Sequence, residues 1–555
     1  IDYDGNRVVS LMAAVLHIVG PCGALLLLGV SISPALPDDA RNDAQQNTTV
    51  TCSSGFLPPA GSTNSPPDLV VTGECHVKPD QAYYFGNVNV LDKGQLVFDE
   101  LDKTIKPTTT HFWVQSMLIE NGGAVVAGSQ RQPYGNYGGV LTIHLYGADR
   151  NARGPALGAL CRTAQNADTG PCGIPASAWS DNGKTKLALP GGVSDFFYRY
   201  GPLHGDGKCS DGSVWSSKSP CDDGQGKQVG YFGYKVLAVS YGGSLDLWGT
   251  KGSCNSMGCS NPQLHPSWTR LEGSVAAGGG TGANDPLVVA GPSNFNPENL
   301  HVGAGDQIVV TTTDYLPGHS ETFVVKEART GEDGKGRWLT KIRVDHGAQW
   351  RHNGERYALT DKLAPSQGRL DLDPDLVKNG VETRAAVAIL NRSIRIVSGG
   401  DKPGEEFPAS TPENPCVAQD GKGPCYSLGG HVVFRQGFKA AHVKGVEFKE
   451  LGQGGRMGHY PVHFHMARQT PEGTYVQDSS INESMTRWIV LHSTQGVLLA
   501  GNVGYKSIGH GFYLEDGTET DNRIYGNLGI LARAAVSIGV AAVFLEARAE
   551  VSIPD

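Results

Sequence analysis

The chain has 555 residues, enough for several domains, and sets 46 Lys and Arg against 55 Asp and Glu, a formal net charge of -9 with no block of like charge. That balance excludes the basic face on which nucleic-acid binding rests, and it means that any anion site must be local. Glycine stands out, with 75 residues beside 32 prolines and 8% aromatics; without a collagen period of three it punctuates turns between many short strands, and the expected class is all-β.

Residues 12–35 contain an apolar run followed by Ser33-Pro34-Ala35, the pattern of a secretory signal with a small-residue cleavage site; the stretch before Met12 reads as read-through from upstream. No other segment reaches the ~18 apolar residues of a membrane span, so none is expected beyond this one, and the expected location is secreted or cell-surface. Residues 36–70, rich in Pro, Ser and Asn, form a linker. From 71 to 275 short alternating runs cut by Gly predict a β domain, interrupted at 149–228 by a Gly/Ser/Asp-rich insertion with four cysteines. Residues 276–429, with "GDQIVVTTTDY" and "AAVAILNRSIRIVSG", predict a second, linking β unit. The tail, 535–555, is Ala-rich, lacks Gly turns and reads as irregular or out of frame.

Cysteine usage agrees with export. Apart from Cys22, ten cysteines fall in neighbouring pairs: Cys52/Cys75, Cys161/Cys172, Cys209/Cys221, Cys254/Cys259 and Cys416/Cys425. Such pairs predict local disulfides formed in an oxidising compartment; the rival, a metal half-site at "CNSMGC", lacks a second half. Asn47, Asn391 and Asn482 open glycosylation sequons.

Between 430 and 534 the pattern tightens into β-branched runs separated by Gly or Asn turns. A repeat of about 20 residues with Asn at turns predicts a right-handed parallel β-helix. Stacking "PVHFHM", "GVLLAG" and "GFYLED" as successive rungs places His463 with Leu498 and Tyr513, and His465 with Ala500 and Glu515. Coils ~4.8 Å apart would put His465 and Glu515 ~9.6 Å from each other across the small Ala500. His442 and His492 fall in another column and read as structural.

The alternation Val-His-Phe-His turns His463 and His465 to one face. Three readings of that face stand side by side: a hydrogen-bonded polar ladder with His510 and Asp516 tying turns, a divalent metal held by His463, His465 and Glu515, and direct acid/base work with Glu515, Asp516, His510 and Asp314 as the catalytic candidates. Glycosidic hydrolysis usually needs two carboxyls, ~5–5.5 Å apart for retention or ~6.5–9.5 Å for inversion. Glu515 and Asp516 adjoin on a strand and point opposite ways, so Glu515 would need Glu447 or Asp314 as its partner. Asp314 also suits a turn cap. Arg456 and Arg468, flanking the histidine strand, and Arg384 suit a uronate carboxylate, with an ordinary salt bridge as the alternative for Arg384. Tyr460 and Tyr513 suit stacking on sugar rings or interior rungs.

Taken together, "GVEFKELGQ…YPVHFHMA", "GYKSIGHGFYLEDGTETDN" and, upstream, "GQLVF", "ENGGAVVAGS…GGVLTIHLYG" and "GGSLDLWG…SWTRL" resemble an eight-glycine domain followed by β-helix repeats. That pairing marks the family of the cell-migration-inducing hyaluronan-binding protein and the transmembrane (cell-surface) hyaluronidase. The resemblance spans roughly 70–148 and 229–534. It implies an exported or surface-held β protein that binds and depolymerises hyaluronan or a similar acidic polysaccharide by hydrolysis. A polyuronide lyase, and a glycan-binding or adhesive module without turnover, are the alternatives.

Overall fold

The computed structural model describes residues 49–58, 63–101, 108–147, 235–252 except 241, 265–292, 299–358, 379–407, 429–453 except 436, and 458–533, with the backbone of 187–188 and 194–195. The signal segment, nearly all of the 149–228 insertion, Arg456, the tail and four of the five cysteine pairs lie outside these residues. Cys52 and Cys75 form the disulfide that the sequence predicts, joining the first two strands.

Strands are the dominant regular structure of the described residues, and 22 of them belong to one parallel sheet wound into a β-helix with three faces. The first face stacks Ala82–Val90, Thr109–Ile119, Val236–Val239, His431–Arg435, Val462–Gln469, Ile489–Gln495 and Tyr513–Leu514. The second stacks Gln95–Phe98, Ala124–Ala127, Ser244–Trp248, Ala440–Lys444, Tyr475–Gln477, Leu498–Ala500 and Arg523–Tyr525. The third stacks Val140–Leu145, Ile394–Ser398, Val446–Lys449, Ser480–Asn482, Val503–Ile508 and Leu528–Arg533. Strand Val236–Val239 pairs with Thr109–Ile119 on one side and His431–Arg435 on the other. The Gly-rich β region and the C-terminal repeats are therefore one continuous solenoid.

Between its coils sits an antiparallel six-stranded sheet in the order Trp268–Arg270, Ala386–Ile389, Gln307–Val310, Glu321–Glu332, Trp338–Val344, Leu287–Ala290. Chain enters and leaves it at one point, where Gly252 N donates to Asn391 O at 3.1 Å. The sheet packs on the third face through Val309, Ala388 and Leu390 against Val503, Tyr505 and Ile530. Hence Trp268–Arg270, expected in the first domain, belongs to the insert, and Ile394–Ser398, expected in the linking unit, belongs to the solenoid.

Period-two alternation decides what faces inward. Val432, Phe434, Val462, Phe464, Ile489 and Leu491 fill the core beneath the first face, with the Phe434 and Phe464 rings stacked at 4.6 Å. Burying each such side chain stabilises by about 1.5–3 kcal/mol. Of the sequons, Asn482 is buried and presents no acceptor amide, Asn391 is half-buried with its Oδ1 accepting from Gln307 N, and Asn47 lies outside the described residues.

Candidate functional site

Because Val462 and Phe464 point inward, His463 and His465 point out from the first face. The next rung is Ile489–Gln495, not "GVLLAG": His463 pairs with Val490, and His465 pairs with His492. Val490 in turn pairs with Tyr513, and Glu515 N donates to Leu491 O at 3.0 Å, which brings Glu515 over His492. Leu498 and Ala500 lie on the second face, between Tyr475–Gln477 and Arg523–Tyr525. The expected notch at Ala500 is thus replaced by an imidazole, His492, which sequence reading treated as structural. Both His465 and His492 end their straight run just before a left-handed residue, Met466 (φ 49°) and Ser493 (φ 43°), so the two imidazoles sit at a corner of the solenoid.

One ring nitrogen each of His463, His465 and His492 lies within 4.8 Å of the others. His465 Nδ1 is 3.1 Å from His492 Nδ1. Glu515 Oε2 is 3.8 Å from His492 Nδ1 and 4.0 Å from His463 Nε2. His463 Nε2 and Glu515 Oε2 are both buried, and neither has a hydrogen-bond partner. Such orphaned groups cost free energy unless something joins them. Ligand atoms ~2.1 Å from a tetrahedral ion would be ~3.4 Å apart, a spacing that these distances bracket.

The outer contacts suit the same use. His463 Nδ1–H donates to Gly458 O at 2.9 Å, which fixes the tautomer and turns the Nε2 lone pair toward the cluster. His492 presents Nδ1 to the cluster and Nε2 to Asp516 Oδ2 at 3.6 Å. Asp516 also accepts from Ser493 Oγ and Thr518 Oγ1, and Glu519 Oε1 accepts from Ser493 N and Asp516 N. The hydrogen bond shared with Glu519, then those from Ser493 and Thr518, hold the Asp516 carboxyl well below the usual carboxylate range. Burial pushes the His463 and His465 imidazoles well below the usual histidine range, so both are neutral, the form that binds metal.

Tyr460 donates its hydroxyl to Glu515 Oε1 at 3.4 Å. The Arg487 guanidinium lies 4.6 Å from the Tyr460 ring centroid and 4.2 Å from that of Tyr513. Tyr513 also packs against His510, which is exposed and whose ring centroid is 4.7 Å away. One surface of each tyrosine ring is therefore taken by a cation rather than offered to a sugar.

Other expected residues are placed elsewhere. Asp314 caps a turn of the inserted sheet, accepting from Thr312 Oγ1 and Leu316 N and pairing with His319; the Thr312 bond first, then those from His319 and Leu316, lower its carboxyl to about 2. Arg384 is spent on Glu272 and Glu382 in the same sheet. Glu447 is buried on the third face and paired with Arg395, so neither it nor Asp314 can partner Glu515. Arg468 lies past the corner, in register with Thr494. His442 is bonded to Asp246 on the second face.

Residues 427–547 match the family described as CEMIP beta-helix. These C-terminal coils are similar to that β-helix. The cell surface hyaluronidase CEMIP2 of Homo sapiens is 32% identical over 235 residues, covering 41% of this chain and 14% of that protein. The cell migration-inducing and hyaluronan-binding protein of Mus musculus is 33% identical over 236 residues, covering 41% and 15%. Communication mutant protein F of Dictyostelium discoideum is 27% identical over 302 residues, covering 54% and 20%. The chain spans only 14% to 20% of the length of these relatives. The CEMIP β-helix match contains His463, His465, Arg487, His492 and Glu515, and excludes the inserted sheet.

Proposed function

We propose that this chain acts on hyaluronan or a closely similar acidic polysaccharide, outside the cell or at its surface, and cleaves glycosidic bonds by metal-assisted hydrolysis. The observation that carries the reading is the convergence of three imidazole nitrogens and one orphaned carboxylate oxygen on the first face. Relatives named as cell surface hyaluronidases supply the substrate class. His463, His465 and His492 hold a divalent ion and Glu515 completes the set. Asp516 is a positioning residue that orients His492 through Nε2, and Tyr460 holds Glu515. A divalent ion held there would need to keep a further position beyond these four ligands open to solvent, and would then supply Lewis acidity and a water of lowered pKa. Hydrolysis by two opposed carboxyls has less support, because Glu515 and Asp516 are consecutive and Glu447 and Asp314 stand on other elements.

Elemental analysis of the chelator-rinsed protein, run beside size profiling of hyaluronan, tests this reading. About one zinc or other transition ion per chain with shortened hyaluronan is expected, and His465→Ala should lower both. Intact chains with every divalent ion tried would overturn the enzymatic reading in favour of a binding module. Products absorbing in the near ultraviolet would replace hydrolysis by β-elimination.

A further inference from the structure

Two arginines beside the cluster are not employed above: Arg435, buried and in register with His465, and Arg487. Arg487 directly precedes Trp488, which closes the core under the last coils, so the backbone at this point is fixed by packing. Its guanidinium is sandwiched between Tyr460 and Tyr513, at 4.6 and 4.2 Å from their ring centroids. These rings belong to the two flanking elements: Tyr460 precedes the His463 strand, and Tyr513 opens the strand that leads to Glu515. Among the described residues no hydrogen bond or ion pair holds the guanidinium, and its Nε is buried without a partner. Of the other arginines on these coils, Arg395 is held by Glu447, Arg533 by the carbonyl groups of Ser484, Lys506 and Ser507, and Arg435 is buried beneath the cluster's own rung.

Stacking between two aromatic faces suits a guanidinium and fixes its plane while leaving the outer edge, with the four N–H donors of its two Nη atoms, to bind something else. A planar fork held in this way matches a carboxylate with two parallel hydrogen bonds. Tyr460 bonds Glu515, so the fork stands one side chain from the proposed metal ligand. We infer that Arg487, clamped by Tyr460 and Tyr513, is the carboxylate-binding site of this face and reads the hexuronate of the sugar bound beside the histidine cluster. This rests on the glycan reading above and deepens it. It also gives the two tyrosines a role other than sugar stacking: they orient the arginine.

The test compares binding of a hyaluronan oligosaccharide with that of the same oligosaccharide after its carboxyl groups are reduced to alcohols. Wild-type protein should bind the native sugar about tenfold or more tightly, the scale of a hydrogen bond to a charged group. Arg487→Met should lose that preference and bind both sugars alike, with its metal content unchanged. Arg487→Lys, which keeps the charge without the planar fork, should fall between and guards against a folding defect in the Met variant. If Arg487→Met or Arg487→Lys still prefers the native sugar as strongly as wild type, the carboxylate is read elsewhere and this assignment is wrong while the glycan reading stands. If wild type binds neither sugar, the glycan reading itself fails and takes the assignment with it.

Discussion

Replacing His492 by alanine removes one of three converging nitrogens while leaving Phe464 and Leu491 packed in the core beneath. The expected outcome is loss of stoichiometric metal in a folded protein, read by zinc titration. Asp516→Asn, which keeps the shape beside His492 Nε2 but weakens the acceptor, should lower zinc affinity by about 10–100-fold. His442→Ala, on another face and bonded to Asp246, should leave it unchanged. Equal zinc affinity in His492→Ala and His442→Ala would show that the cluster is only a polar ladder. A second residue-scale effect concerns stability. Burial, reinforced by Glu483 and Glu447, raises the Glu450 carboxyl from 4.5 to about 7. The folded chain keeps this proton up to about pH 7 while the unfolded chain gives it up near 4.5, so native protein binds more protons between those values. Stability therefore falls as pH rises through that window, by an amount on the order of 3 kcal/mol when the window is passed. Glu450→Gln should remove this slope and be the more stable protein at pH 8, as urea unfolding at pH 5 and pH 8 will show.

Turns between the second and third faces are tied by asparagine. Asn502 is fully buried; its Oδ1 accepts from Ser479 N at 3.1 Å, and its Nδ2 donates to Val476 O at 2.8 Å and to Asn527 Oδ1 at 2.9 Å. Asn502→Ala removes the side-chain partner of Ser479 N and Val476 O, while Asn527 Oδ1 still accepts from Asn502 N; it should cost about 3 kcal/mol, whereas Asn527→Ala, in a more open coil, should cost about 1 kcal/mol. Equal shifts in the urea midpoint would refute the ladder. These asparagines, with the glycine turns, are what made a β-helix legible in the sequence. The alternation at 462–465 likewise assigned the right residues to the core and to the outer face. The register was not legible, for a physical reason. Each coil has three faces and each face carries its own short β-branched run, so "GVLLAG" looks like the next rung although it lies on another face. The true rung is set by coil length, 27 residues from His465 to His492, and coils vary with their corners. Arg487 carries no sequence signal at all, because its two tyrosine neighbours come from different coils.

At the scale of the whole molecule the histidine face and the inserted sheet are separable in principle. The insert joins the solenoid at the single crossing where Gly252 meets Asn391, packs on the third face, and contributes none of the cluster's ligands. A solenoid is held by contacts between neighbouring coils, and the coils on either side of the crossing already pair directly, as Ser244–Trp248 does with Ala440–Lys444. Replacing residues 253–390 by a short Gly/Ser linker should therefore leave a folded β-helix that binds one zinc as tightly as the full chain. It should also be less stable, because Val503, Tyr505 and Ile530, at most 3% exposed in the full chain, lose their cover. A Val503→Thr, Ile530→Thr pair made in the excised form should recover solubility without touching the first face. If the excised protein folds by circular dichroism yet binds no zinc, the geometry of the histidine corner depends on the insert, and the third face must transmit its packing through the coil core to the first.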